Sequence, residues 1–382
     1  MKTIRVLLLL LGGVFLFGLR PSSAESIPIQ YFGLHIHRAD QGTTWPSIPF
    51  GSWRLWDAYV GWAQLEPSRG QWDFTRLDRY VAMAELTKID ILLPLAITPR
   101  WASARPDESS PYKPGNIAEP ANLADWSTYV ATVGARYKGR IKHYEVWNEP
   151  SDQNHYSGDL ATLVKLTCEA KRVLQAIDPG IKLVSPASAG GGRHIEYLDR
   201  FLAAGGRKCI DIVGHHFYVF KESPEAMIPT IRGVKRVMAA NGVGHMPLWN
   251  TETGYWIENG DGTPDHPMVA KGGWKRLGLE KESGDYLMRA LLIARAEGVD
   301  RFYWYSWDNR YGLGMVESIT GQPKPMVEAW RVLADRLVGA SRLSCKESGG
   351  RWSCTLNLRS GEPAKITWNV ANGSGVLISN ER

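Results

Sequence analysis

Eight short apolar runs, most of them separated by stretches of amphipathic helical pattern, constrain the fold of this chain more than any other feature. They lie near Gln30 to His37, Gly51 to Asp57, Ile89 to Ile97, Ile141 to Asn148, Ile181 to Pro186, Ile210 to Tyr218, Pro247 to Glu252 and Arg301 to Trp307. The intervening periodicity predicts helices over, among others, Phe74 to Thr87, Trp126 to Tyr137, Leu160 to Ile177, Met227 to Ala240 and Ser283 to Glu297. Strands alternating with helices imply a parallel sheet with crossover connections, and eight such units imply an α/β fold of the closed (β/α)8 TIM-barrel type. The link between the first two runs carries Pro46 and Pro49 and predicts no helix. A doubly wound open sheet is the alternative, but no glycine-rich phosphate turn follows the first run.

The 382 residues suit one barrel with a small addition. Residues 1–24 combine Lys2 and Arg5, an apolar run from Val6 to Leu19 and the small residues Ser22, Ser23 and Ala24, the pattern of a cleaved signal peptide. The run is short for a spanning helix, so secretion or delivery to a periplasm is expected, without stable membrane insertion. Residues 25–339 then form the barrel. From 340 to 382 short alternating runs predict a small β appendage, too small for its own core and therefore packed on the barrel. Of the formal charge of +6, Lys2, Arg5 and Arg20 supply three, leaving +3 from Glu25 onward. Dense basic runs interleaved with aromatics are lacking, so nucleic acid is not expected as a partner, and the chain is expected to act as a monomer.

Four cysteines in an exported chain permit two disulfides. If Gly349-Gly350 forms a two-residue hairpin turn, Cys345 lies opposite Cys354 at a non-hydrogen-bonded pair, where strands approach closely enough to be bridged. Whether Cys168 pairs with Cys209 does not follow from their spacing.

The chemistry concentrates at two strand ends. His143 to Pro150 reads His-Tyr-Glu-Val-Trp-Asn-Glu-Pro, so Glu149 stands where the fourth strand stops at a proline. The seventh run carries Thr-Glu-Thr-Gly and ends at Glu252. Two carboxyl groups facing each other across a barrel mouth are what hydrolysis of a glycosidic bond requires, one as acid and the other ionised. Strict strand alternation would send Asn148 and Glu149 to opposite faces, so the strand must bulge or end there. Sixteen Trp and fifteen Tyr supply flat faces on which sugar rings stack. Long links from Thr98 to Asn122 and from Gly254 to about Lys281 follow strand ends and offer Trp101 and Trp256 as cleft walls.

With these motifs the chain resembles a clan A retaining glycoside hydrolase. It is most similar to family 39-like enzymes, which include β-xylosidases, α-iduronidases and endoglycosidases from bacterial exopolysaccharide clusters. Trp147-Asn148-Glu149-Pro150, Glu252, Arg54, His216-Phe217-Tyr218 and the segment from Leu65 to Phe74 carry the resemblance, over roughly Tyr31 to Val338. It implies a general acid/base at Glu149 and a nucleophile at Glu252. Asn148 would bind the sugar 2-hydroxyl, while Arg54 and Tyr218 keep Glu252 ionised and oriented. His216 and His37 are expected to line the site, and Trp307 rather than Trp304 to lie under the reacting sugar. No cofactor and no metal is implied. The long loops and aromatic content point to endo action on an oligo- or polysaccharide.

Two other readings compete. A non-catalytic carbohydrate-binding barrel would keep the cleft but have lost turnover, and the presence of both carboxyls argues against it. A metal-dependent barrel hydrolase would use His35 and His37; His215, His216 and Asp308 could serve beside them, but the fifth run offers no histidine and the set stays incomplete. For Arg54 a structural ion pair with Asp57 is the alternative role.

Overall fold

The structure is a computed structural model that describes residues 25–371 and 374–380; the expected signal segment, residues 1–24, lies outside the described residues. Eight parallel strands form at the eight apolar runs: β1 (Phe32–Leu34), β2 (Ser52–Arg54), β3 (Asp90–Leu95), β4 (His143–Val146), β5, β6 (Val213–His216), β7 (Leu248–Thr253) and β8 (Arg301–Trp304). β5 runs as two ladder segments, Lys182–Val184 against β4 and Ser188–Ala189 against β6. The hydrogen-bonded order therefore begins and ends on the same strand. A bridge from Val184 to Ile212 and the bonds from Ser185 N to Ile212 O (2.9 Å) and Asp211 N to Leu183 O (2.8 Å) complete the closure.

Helices α1 (Thr75–Thr87), α2 (Leu123–Arg136), α3 (Leu160–Ile177), α4 (Arg193–Ala203), α5 (Met227–Ala240), α6 (Lys281–Ala296) and α7 (Met326–Leu337) follow β2 to β8 in turn. The first crossover is irregular chain, as its prolines predict. Its path is fixed by Asp308, which accepts from the backbone N–H groups of His37 (2.7 Å) and Arg38 (3.1 Å) and from the Thr43 hydroxyl (2.7 Å). Local sequence sets the helix starts. Asn122 accepts from Ala124 N ahead of α2, and Asp159 from Thr162 N ahead of α3. On α2, Trp126, Tyr129, Val130 and Val133 recur at helical spacing and are the buried face.

Inside the barrel Leu92, Val184, Ile212, Trp249 and Tyr303, drawn from five strands or their immediate flanks, form an apolar cluster separate from the core under the helices. Strands β2, β4, β6 and β7 carry the polar interior residues Arg54, Glu145, His216 and Glu252 toward their C-terminal ends. The plug closes the floor, and the polar layer forms the mouth.

The C-terminal segment is an antiparallel meander: β9 (Ser341–Ser348), β10 (Arg351–Asn357), β11 (Pro363–Asn369) and β12 (Ser374–Asn380). Gly349 (φ 58°) and Gly350 (φ 80°) make the two-residue turn that requires positive φ at both centres, and Ser348 pairs with Arg351. This register sets Cys345 opposite Cys354, and the two are bridged. Cys168 on α3 also pairs with Cys209. The meander rests on α6 and its surroundings: Trp368 Nε1 donates to Glu225 Oε1 at 2.7 Å, and Glu225 is also ion-paired with Arg289 of α6. Among the described residues no helix is long and apolar enough to cross a membrane.

Candidate active site

Arg54, at the end of β2 and fully buried, organises the mouth of the barrel. Its Nε donates to Glu145 Oε2 (2.7 Å), its Nη1 to Glu252 Oε2 (2.8 Å) and its Nη2 to Asn148 Oδ1 (2.7 Å). One planar cation thus ties β2 to β4 and β7 by three charge-assisted bonds. These partners replace the ion pair with Asp57 that the sequence left open. Asp57 instead accepts from the Tyr305 hydroxyl at 2.6 Å.

Asn148 and Glu149 both reach the mouth because the chain leaves β4 through an unusual backbone. Trp147 (φ 63°) and Glu149 (φ 47°) adopt left-handed conformations on either side of Asn148. For non-glycine residues this is costly, and the surrounding bonds hold it in place. Trp147 N donates to Leu95 O on β3, and Glu149 N to Ala187 O beside β5, each at 2.9 Å. Of the two expected outcomes, a bulge or a strand end, the structure shows the end: β4 stops at Val146 and a pair of reversed dihedrals follows.

Glu149 faces two imidazoles. His216 Nδ1 lies 2.8 Å from its Oε1, and His155 Nδ1 stands 3.4 Å from its Oε2. Trp147 Nε1 donates to the His155 carbonyl at 2.8 Å and so fixes that loop over Glu149. Across the mouth the Tyr218 hydroxyl donates to Glu252 Oε1 at 3.0 Å. One oxygen from Glu149, one from Glu252 and a ring nitrogen of His216 lie within 4.8 Å of one another. That spacing suits two carboxyls acting in turn on one anomeric carbon, for which about 5 to 5.5 Å is usual.

The electrostatics follow from burial beside a single cation. Burial pushes Glu252 up to about 8, with the Arg54 charge opposing it and the Glu149 charge adding to it. At Glu149 burial also acts upward, but the hydrogen bond and charge of His216 and the charge of His155 outweigh it, to about 2. Groups this close titrate as a pair, so the two carboxyls hold one proton between them across the intervening range. Its position follows from the donors. Arg54 and Tyr218 both donate to Glu252 and favour charge there, while burial keeps His216 neutral, at about 4. The shared proton therefore belongs on Glu149.

A cavity of about 640 Å³ opens beside this centre. His37, Trp56, Asp57, Tyr112 and Tyr305 are among its lining residues, with Tyr59 and Tyr311 at its rim. Trp307 is absent from this wall: its ring is 1 % exposed and its Nε1 donates to Thr44 O at 2.7 Å. The chain leaves the ladder at Trp304, and Tyr305 turns to the cavity in its place. Trp304 is likewise buried. Trp101 packs edge-on against Trp62 and donates to Glu66 O at 2.9 Å, which makes it a support of the loop. Trp256 stacks on His266 in a cluster of rings on the loop after β7.

The set of side chains proposed for a metal does not converge. His35 Nε2 is bonded to Thr251 O, His215 Nε2 to Gly190 O, and Asp308 to the first crossover. Among the described residues the grouping able to hold a metal is Glu149, His216 and Glu252, which excludes His35 and His37. Glu145, His155 and Tyr305 were not named from the sequence, and Asp57 was named only as a partner of Arg54. Glu145 alone carried a signal, as a carboxylate in the middle of an otherwise apolar strand.

Known proteins share this fold. A β-xylosidase from Geobacillus stearothermophilus is 24% identical over 353 residues, 81% of this chain, and the chain spans 64% of that relative's length. A family 39 glycoside hydrolase from Bacteroides cellulosilyticus WH2 superimposes with a TM-score of 0.69 at 19% identity, over 90% of this chain and 71% of that one. A monomeric β-xylosidase from Caulobacter crescentus CB15 gives a TM-score of 0.65 at 20% identity, over 87% and 75%. The model of the glycosyl hydrolases family 39 matches residues 58–252, just over half the chain, a span that contains Glu149 and closes on Glu252. The chain belongs to glycosyl hydrolases family 39.

Proposed function

We propose that this protein is a retaining glycoside hydrolase that cleaves O-glycosidic bonds within an oligo- or polysaccharide. The observation that carries the reading is the pair of carboxyls on β4 and β7, within 4.8 Å at their nearest oxygens, with Arg54 and Tyr218 both donating to Glu252. Glu252, kept ionised by these donors, attacks the anomeric carbon while Glu149 passes its proton to the leaving oxygen. The glycosyl ester removes the charge on Glu252. Glu149, now ionised, takes a proton from water as that water attacks the same carbon, and both groups return to their starting states. In this reading Asn148, whose Oδ1 accepts from Arg54, binds the 2-hydroxyl of the sugar.

The names of the relatives make β-xylosides the first substrates to test. The long loops around the mouth favour endo action over removal of terminal sugars. Two disulfides fit an oxidising compartment, and we take the protein to be exported and monomeric. Incubation with plant and bacterial polysaccharides, read by mass spectrometry, should release oligosaccharides of mixed length. Proton NMR of the first product should show the anomeric configuration of the substrate. Inversion of that configuration would sink the two-step mechanism.

A further inference from the structure

The nucleophile's tyrosine is also the inner end of an aromatic wall. Tyr218, whose hydroxyl donates to Glu252, has its ring stacked on Phe220 at 5.6 Å and 12°. Trp274 closes the corner, 5.5 Å from Tyr218 and 4.1 Å from Phe220. Phe220 is nevertheless 39% exposed. The loop that brings Trp274 here is braced. Trp256–Ile257 and Arg276–Leu277 pair as a two-stranded ladder, and Lys275 N donates to Phe220 O at 2.8 Å, joining the loops after β6 and β7. Trp256 lies 5.8 Å from Trp274, and its indole N–H is buried without an acceptor among the described residues. A loop held by backbone bonds around an exposed phenyl and an indole is a costly way to leave apolar surface in water, unless a ligand covers it.

We propose that Phe220 and Trp274 form a distal sugar subsite, occupied by a ring of the substrate chain other than the one bonded to Glu252. The proposal rests on the glycosidase reading and deepens it, because it makes the substrate a chain of several sugars. The occupant follows from continuity: the wall starts at the residue that touches the nucleophile and runs outward to solvent. A pyranose presents an apolar C–H face to an aromatic ring and keeps its hydroxyls in water, so stacking needs no buried polar partner.

The test uses Phe220→Ala, Trp274→Ala and the double variant, with thermal melts to confirm folding. For xylose the probes are 4-nitrophenyl β-xyloside and xylohexaose; for any other sugar found active, its aryl glycoside and hexasaccharide. The double variant should lose about tenfold more in kcat/KM on the hexasaccharide than on the aryl glycoside, most of it in KM. Equal losses on the two probes would overturn the subsite. Electrophoresis in gels cast with each polysaccharide separates this claim from the catalytic one. If wild type and Glu252→Gln are retarded and the double variant is not, the subsite stands whether or not turnover is seen. Equal retardation of wild type and double variant overturns it.

Discussion

Glu145 and Glu252 share one guanidinium, with Arg54 Nε donating to the first at 2.7 Å and Nη1 to the second at 2.8 Å. Both Arg54 and Glu145 are fully buried, and Gly214 on β6 leaves room for the Glu145 carboxyl, since a Cβ there would stand 3.2 Å from its Oε1. Glu145 reaches no part of the proposed reaction directly. It fixes the plane of Arg54, and with it the aim of the other two arms.

Glu145→Gln keeps an acceptor for Nε and should retain most activity, whereas Glu145→Leu leaves Arg54 free to turn. For the leucine variant kcat should drop by roughly 10²-fold, with a smaller change in KM. The acid limb of the pH profile should move as well, because Glu252 loses an aligned donor. A purely structural role predicts a lowered Tm with kcat and pH profile unmoved in the surviving folded enzyme.

The carboxyl pair sets a second expectation. It holds one proton up to about 8, and the proposed mechanism needs that singly protonated form. As pH rises through about 8 the last proton leaves, the acid is lost and kcat/KM falls. On the acid side the rate should persist below neutrality, since the Arg54 charge beside both carboxyls and the hydrogen bond at Glu149 oppose uptake of a second proton. A profile of kcat/KM from pH 4 to 10 in constant ionic strength checks this. An optimum confined to alkaline pH would contradict the placement of the proton.

Roles at the two carboxyls can be separated by substitution. Glu252→Gln should lower kcat on the order of 10³-fold or more on every substrate. Glu149→Ala should lose as much on substrates with poor leaving groups, yet far less on an aryl glycoside whose phenol departs without help. Azide should accelerate that variant by attacking the glycosyl ester, and mass spectrometry of the glycosyl azide would confirm it. If azide rescued Glu252→Ala in the same way with retention, the assignments would have to be exchanged.

Most of the barrel was legible because its signals are local. Each of the eight strands forms at an apolar run, although the second segment of β5, Ser188–Ala189, and the last residue of β7, Thr253, lie beyond the runs, and the helices start at side-chain caps or within a residue or two of their periodic faces. The Asn148-Glu149 adjacency was legible as a problem, and the reversed dihedrals at Trp147 and Glu149 are its solution. His155 escaped because its place over Glu149 depends on a bond from the Trp147 indole N–H to the His155 carbonyl, which no periodicity encodes. Glu145 escaped because a buried charge is recognised only with its partner, and Arg54 is ninety-one residues away.

Trp307 was misplaced for a related reason. The period of two stops at Trp304, so the positions that follow cannot be assigned to a face by counting. With its N–H on Thr44 and its ring in the core, Trp307→Phe should cost about 1–3 kcal/mol of stability with KM nearly unmoved. Tyr305→Ala removes a wall of the cavity and the bond to Asp57, and should raise KM about tenfold or more with a smaller loss of stability. Denaturant titration beside steady-state kinetics on both variants decides which aromatic serves the sugar.

The appendage offers a test that leaves the mouth of the barrel untouched. Cys345 and Cys354 bridge neighbouring strands in a hairpin whose register is already set by the Gly349-Gly350 turn, and Cys354 is fully buried under the meander. The bridge closes a short loop, so its entropic contribution is modest, about 2 to 3 kcal/mol. Replacing both cysteines by serine adds the cost of a buried hydroxyl at 354. The double variant should melt a few degrees lower. Its kcat should be retained, because the meander meets the barrel at Glu225 and α6 and none of the residues bonded to Glu149 or Glu252 belongs to it. A matching fall in kcat at temperatures where the variant is fully folded would show that the meander supports the active site through α6.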